Sequence, residues 1–399
     1  MITNGVPDIR QSTLSTFVDQ DGAQIDEGLV VLFRGPNSYT GEDSLEFYVH
    51  GGVAVVEHAL DALTRIPNVR LAEPGEFTRR AFESGNLDLT QAEGVSDLID
   101  AESRAQKTQA LEQLGGSLTQ TYDDWRAQLT KILALLEASI DFPDEDEAPD
   151  DASAPVIQMI DALSAEMSSA LEDGRLGERI RDGFRIAIIG RPNAGKSTLL
   201  NRLAQREAAI VTATPGTTRD VVEVRLRLGG QLVWVADTAG IRHTEDEIEA
   251  EGVRRANEAA KRADIRIFLN DANDSSYRTD LAEYRVDLYA GELGEGVDCR
   301  ISAKTGEGVQ MLEALLVQRL ADFSQASSAP VITRLRHRTR LEAGQTYLAA
   351  AKNMLLSDHS PELAAEDVRL ALREIGAVVG VVGVEDILGS VFADFCIGK

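Results

Sequence analysis

The run RIAIIGRPNAGKSTLLNRL, Arg185 to Leu203, constrains the fold of this chain more than any other stretch. An apolar strand feeds Gly190-Arg191-Pro192-Asn193-Ala194-Gly195-Lys196-Ser197, which matches the phosphate-binding loop pattern, and a helical pattern follows at once. In that setting the loop's backbone N–H groups point at phosphates, Lys196 reaches the β and γ oxygens, and the Ser197 hydroxyl goes to Mg²⁺. Nucleotide contacts are expected from Asn193, Ala194, Gly195, Lys196, Ser197 and Thr198, with Lys196 also a catalytic candidate.

The segments downstream narrow the class. VTATPGTTRD, carrying Thr212, Ala213, Thr214, Pro215, Gly216, Thr217 and Thr218, reads as a flexible loop. Two alternating strands follow, joined at Gly229-Gly230, and then Asp237-Thr238-Ala239-Gly240. A loop, a hairpin and DTAG is the order of switch I and switch II in Ras-like GTPases. Thr218 would join Ser197 on Mg²⁺, and Asp237 would hold the metal through water. For the base, Tyr284-Arg285-Val286-Asp287 stands where Asn-Lys-x-Asp is usual. Asp287 can accept from guanine N1 and N2, and Arg285 can cover the ring. Ser302-Ala303-Lys304 matches the loop whose backbone meets the guanine oxygen, so guanine is favoured over adenine.

Ile241 stands where Ras-type enzymes keep the glutamine that orients the attacking water. Two replacements are open. Glu249 could orient water from the acidic run HTEDEIEAEG, whose plain reading is a solvated helix start. Asn193 could instead offer a carbonyl oxygen to a monovalent cation that supplies the positive charge of an arginine finger.

The 399 residues suffice for two to three domains, with 43% apolar content to fill their cores. Cys299 and Cys396 lie far apart, which suggests neither a disulfide framework nor a zinc site and fits a reducing cytoplasm. MITNGVPDIR does not read as an export signal, and IGAVVGVVGV is too short to span a bilayer, so no membrane association is expected. A net charge of −26 disfavours broad wrapping of nucleic acid. TRLRHRTR, with Arg334, Arg336, Arg338 and Arg340, is the best local RNA candidate, although a solvated helix start is the plainer reading.

The texture of the chain predicts α/β and all-α domains together. Residues 1–75 form a small N-terminal α/β domain. Residues 76–182 form the first part of a helical domain, including a helix over about Ala154–Leu171. Residues 183–325 form a Ras-like P-loop G domain inserted into it, and residues 326–399 complete the helical part. The proline-broken acidic run DFPDEDEAPDD reads as a solvated connector.

With GRPNAGKSTLLNRL, GTTRD, DTAGIR and Glu249 stand PNSYTGEDSLEFYVHGG, PGEFTRRAF, LDLTQAEGVSDLIDAES, ASIDFPDED and the terminal FCIGK. Together they resemble the MnmE, or TrmE, family of tRNA modification GTPases, from about Asp19 to Lys399. The resemblance implies an N-terminal domain that binds a formyl- or methylene-tetrahydrofolate and forms a homodimer. It implies GTP hydrolysis that depends on K⁺ held by Asn193, Thr212, Thr214 and Thr217, with Glu249 orienting the water. It also implies work with a FAD-dependent partner, MnmG or GidA, to place an aminomethyl or carboxymethylaminomethyl group on the wobble uridine of certain tRNAs. By the same resemblance Glu46, Lys399 and the position of Asn86, often basic in the family, contact the folate. Cys396 corresponds to a cysteine near the modification chemistry, its plain reading being a small buried hydrophobe. His50 could line the folate cleft or serve as a structural histidine at a turn. The N-terminal domain is expected to be truncated at its start, because the family's first strand, Gly-rich turn and folate-contacting arginine have no counterpart in MITNGVPDIRQSTLSTF. An Era-type ribosome-assembly GTPase and a nucleotide-binding switch without efficient turnover are the alternatives.

Overall fold

The computed structural model describes residues 5–141, 153–189, 195–206, 222–237, 261–269, 286–291, 299–302, 304–325, 332–357, 360–382, 388, 391–392 and 395. The chain packs as two compact units, one of Met1–Ser96, Gln113–Ile160 and Ala343–Lys399, the other of Asp97–Glu112 and Asp161–Glu342.

In the first unit, the alternating runs become an antiparallel meander of β1 (Thr13–Val18), β2 (Gln24–Phe33) and β3 (Ser44–Tyr48), in that spatial order. The turn between β1 and β2 is closed by Asp19, whose backbone N–H donates to Ala23 O at 2.9 Å while its carboxylate accepts from Ala23 N at 2.8 Å. Alternation puts Phe17 and Val30 on one face, Ile25 joins them at the register shift between Phe17 and Val18, and all three pack with Ala62 of α1 (Val53–Thr64). Phe17 and Phe47 meet edge to face at 5.3 Å.

Next come α2 (Glu76–Glu83), α3 (Leu89–Asp100), α4 (Arg104–Leu114) and α5 (Ser117–Asp141). Leu118, Tyr122, Trp125, Leu129, Ile132 and Leu136 of α5 recur at steps of four and three and are all buried. α6 (Ser153–Asp182), which belongs to the second unit from Asp161 on, runs past the expected end near Leu171. Gly174 and Gly177 look like helix breakers in sequence, but a Cβ on Gly174 would stand 2.6 Å from the Ile332 side chain. The glycine is there for close packing and not for a turn.

The nucleotide fold is a six-stranded sheet of β4 (Phe184–Ile189), β5 (Val222–Leu228), β6 (Gln231–Asp237), β7 (Ile265–Leu269), β8 (Val286–Gly291) and β9 (Cys299–Arg300), ordered β5-β6-β4-β7-β8-β9. All neighbours are parallel except β5 and β6. Their hairpin turns at Gly229 and Gly230, with φ of 58° and 81°, values that favour glycine at both positions. Ile186, Ile188, Val235, Ile265 and Ile267 share a core with Leu199 and Leu203 of α7 (Lys196–Arg206) and with Leu312 and Leu316 of α8 (Val309–Gln325).

The last helices are α9 (Leu335–Ser357) and α10 (Pro361–Val379). α10 packs along α5 in the first unit, so helical sequence from both sides of the inserted αβ segment shares one core. Proline at its start and Gly380 at its end, with φ 88°, delimit α10. The stretch IGAVVGVVGV is thereby cut by a helix terminus. Among the described residues no helix is long and apolar enough to cross a membrane.

Candidate active site

Lys196 opens α7, preceded by Gly195 at φ 91° and by the helix's first bond, Leu199 N to Gly195 O at 2.9 Å. Lys196 is only 5% exposed. A buried cation at a helix N-terminus opposes both desolvation and the positive end of the helix dipole, costs that an arriving polyphosphate reverses. Ser197 and Thr198 follow on the exposed side of the first turn.

Asp237 ends β6, in register with Ile188 of β4. β4 lies between β6 and β7, and the strand order reverses there, so β4 ends at the sheet's switch point, where open α/β sheets bind ligands. The structure thus brings Lys196, Ser197 and Asp237 to one edge of the sheet. Asn193, Ala194, Thr212, Ala213, Thr214, Pro215, Gly216, Thr217, Thr218, Thr238, Ala239, Gly240, Ile241 and Glu249 lie outside the described residues, as do Tyr284 and Arg285.

Asp287 stands apart from these. It is the second residue of β8, in register with Arg266 of β7, and Arg266 in turn pairs with Ala187 of β4. The strand runs on to Gly291, so Asp287 lies inside the sheet and not in a loop beyond its C-terminal edge. Sequence reading placed it in a post-strand motif because YRVDLYAG carries no breaker to mark where the strand begins. The following turn is well defined: Ser302 N donates to Glu307 O at 2.9 Å and Gly306 N to Ser302 O at 2.8 Å. Lys304 lies on this turn, and Ala303 is outside the described residues.

Two of the four arginines in the arginine-rich segment are spent on ion pairs within the fold. Arg334 pairs with Asp97 at 2.7 Å, and Arg181 reaches the same carboxylate at 3.0 Å. Arg338 forks onto Glu178 with two bonds of 3.0 Å, and His337 is fully buried. The acids come from residues far away in the chain, so local sequence could not supply the pairing.

In the first unit, Asn86 donates both amide hydrogens, to Ser38 O at 3.0 Å and Tyr39 O at 3.2 Å, and lines a cavity of about 440 Å³ with Arg10, Phe33, Pro36 and Leu87. Glu46 lies on β3 in register with Val31, accepts from the Tyr48 hydroxyl, and does not line that cavity. Lys399 and Cys396 are outside the described residues, whereas Phe395 packs with Phe392, Leu89 and Ala92. His50 is tied to Asp26 by its backbone N–H at 2.7 Å and its Nδ1 at 2.9 Å, a structural contact. These bonds, the backbone one first, hold the Asp26 carboxyl below the usual range.

Sequence reasoning missed Glu76 as a focal charge. Arg70 and Arg80 each reach its Oε1 at 2.7 Å, and its pKa is lowered to about 2, first by Arg70 and then by the Glu73 backbone N–H. A cleft of about 650 Å³ surrounds it, lined also by Glu42, Leu388 and Phe392. The i,i+4 spacing to Arg80 was readable; Arg70 is on a different segment.

A strand, a phosphate loop ending in a buried lysine, and a sheet with one antiparallel edge strand define a P-loop GTPase fold. Comparisons with known proteins give the particular family. The family model described as MnmE helical domain matches residues 89–396, and that described as GTP-binding protein TrmE N-terminus matches residues 2–86. The tRNA modification GTPase MnmE of Hyphomonas neptunium is 54% identical over 100% of this chain and 92% of its own length. Those of Phenylobacterium zucineum (48%, covering 100% and 93%) and Caulobacter vibrioides (51%, covering 99% and 92%) are similar throughout. The chain belongs to the MnmE family of tRNA modification GTPases.

Proposed function

We propose that this chain hydrolyses GTP in a Mg²⁺- and K⁺-dependent reaction and uses the resulting conformational change in wobble-uridine modification of tRNA, together with an MnmG-type flavoprotein. The observation that carries the hydrolytic part is Lys196, 5% exposed at the start of α7 on the edge where Asp237 ends β6. Lys196 holds the β and γ phosphate oxygens. An attacking water, oriented by Glu249, adds to the γ-phosphorus as the bond to the β–γ bridging oxygen breaks, giving GDP and inorganic phosphate.

The donor set fits the metal. Mg²⁺ favours oxygen ligands; the Ser197 hydroxyl and Thr218 are proposed to bind it directly and Asp237, at the end of β6, to hold it through water. A Mg²⁺ ion held by these residues would supply positive charge against the phosphate oxygens. Asn193, Thr212, Thr214 and Thr217 are proposed to hold K⁺. The base is proposed to be read by the Ser302-Ala303-Lys304 turn; Asp287, within β8, contributes less directly than a loop carboxylate would.

For the N-terminal domain we propose homodimerisation and binding of a formyl- or methylene-tetrahydrofolate. Asn86 has its carbonyl oxygen left for a ligand, since both amide hydrogens are used, and Glu46 and Lys399 are the charged contributors. Cys396 is proposed to lie near the modification chemistry, and the setting is cytoplasmic.

The test is GTP hydrolysis by the purified full chain with Mg²⁺, in KCl against NaCl at equal ionic strength and with ATP as control. Turnover confined to KCl and GTP is expected. Turnover indifferent to the cation would remove the K⁺ role. GTP binding without turnover in either salt would favour a switch that only binds nucleotide, a reading supported by the placement of Asp287 inside β8.

A further inference from the structure

We propose that Arg202 is a positioning residue for guanine recognition, clamping the base-reading turn to the helix that carries the phosphate lysine. The inference rests on the GTP reading above and deepens it. Arg202 lies on α7, six residues after Lys196, which is about 9 Å along a helix axis. Its Nη2 donates to the backbone carbonyl of Lys304. The turn is shaped around this guanidinium: Gly306, at φ 87°, approaches so closely that a Cβ would stand 2.5 Å from Arg202 Nη1. The backbone angle favours glycine there, and the absence of a side chain lets the guanidinium lie against the turn.

Ser302 and Glu307 close the turn through their backbones, and Thr305 N donates to the Ser302 hydroxyl at 3.3 Å. These bonds tie Ser302, Thr305, Gly306 and Glu307 together, and Arg202 sets where the turn stands relative to α7. The planar fork and permanent charge of arginine suit this task, because a charge-assisted bond to a carbonyl fixes direction as well as distance. With Asp287 inside β8, base selection depends more heavily on the turn, and hence on the residue that fixes it. Phosphate and base sites then keep a constant span, since one rigid helix bears both Lys196 and Arg202.

The experiment uses the full chain and measures affinity for a fluorescent GDP analogue, with unlabelled GDP, ADP and inorganic pyrophosphate as competitors. Arg202→Ala is expected to weaken GDP about tenfold, the loss of one charge-assisted hydrogen bond, while pyrophosphate competes as before and the preference for GDP over ADP falls by a similar factor. Arg202→Lys should restore part of that preference. A folded Arg202→Ala protein, judged by its thermal melt, that keeps the full preference for GDP over ADP would overturn the inference. So would equal weakening of GDP and pyrophosphate, which indicates a general structural role. Failure of the unaltered chain to bind any guanine nucleotide would overturn the GTP reading first and this inference with it.

Discussion

In the N-terminal sheet, Leu14, Leu29 and Tyr48 share one register row and are 57%, 42% and 55% exposed, while in the nucleotide sheet every residue of β7 from Ile265 to Leu269 is buried. The first sheet has a single helix layer and keeps the period-two contrast between its faces, even though some outward residues are apolar. In the second, the central strands β4 and β7 are covered on both faces and read as nearly continuous apolar runs in which neither face nor register shows, while β5 at its edge still alternates. A charge in such a sheet, such as Arg266 at 1% exposure, is placed by tertiary packing alone.

The sharpest way to break this comparison is to remove the same volume from each sheet. Ile267→Ala, in the doubly covered sheet, is expected to cost roughly 2–5 kcal/mol through lost transfer energy and a residual cavity. Denaturant unfolding followed by Trp234 fluorescence in a Trp125→Phe background would read it, since Trp234 lies on β6 and Trp125 on α5. A cost near zero would mean that the β7 face is not closed.

A smaller effect, with a distinct pH signature, belongs to the first unit. The folded-state pKa of Glu76 is lowered from 4.5 to about 2, so its ion pairs stabilise the fold fully above about pH 4.5 and cease to do so as pH falls toward 2. Melting temperatures of the unaltered chain and Glu76→Gln should differ above pH 4.5 and converge toward pH 2. A constant offset across that range would assign the effect to packing and not to charge.

The smallest change is expected for Leu14→Ala on the open face, within about 0.5 kcal/mol in denaturant unfolding followed by Trp125 fluorescence in a Trp234→Phe background, since Trp125 lies in the same unit as Leu14. A larger loss would show that this face is covered in solution, and would narrow the contrast between the two sheets.

Legibility followed the range of the interactions. The strand, loop and helix around Lys196 and the Gly229-Gly230 hairpin were readable because backbone angle and apolar period are local properties. The extension of α6 past Gly174 was not, because the reason for that glycine is Ile332, far along the chain. Arg334 and Arg338 looked like a surface charge run for the same reason, their partners being Asp97 and Glu178. Asp287 was read as a loop residue because nothing in YRVDLYAG distinguishes the start of a buried strand from the end of a motif.

By itself the sequence determined the strand, phosphate loop and helix around Lys196, the Gly229-Gly230 hairpin and the family, since these rest on residue type and spacing along the chain. The tertiary structure decided which charges are spent on the fold, where Asp287 stands relative to the ligand edge, and that Arg202 grips the Lys304 turn. Those outcomes depend on distances between segments far apart in sequence, which only packing sets.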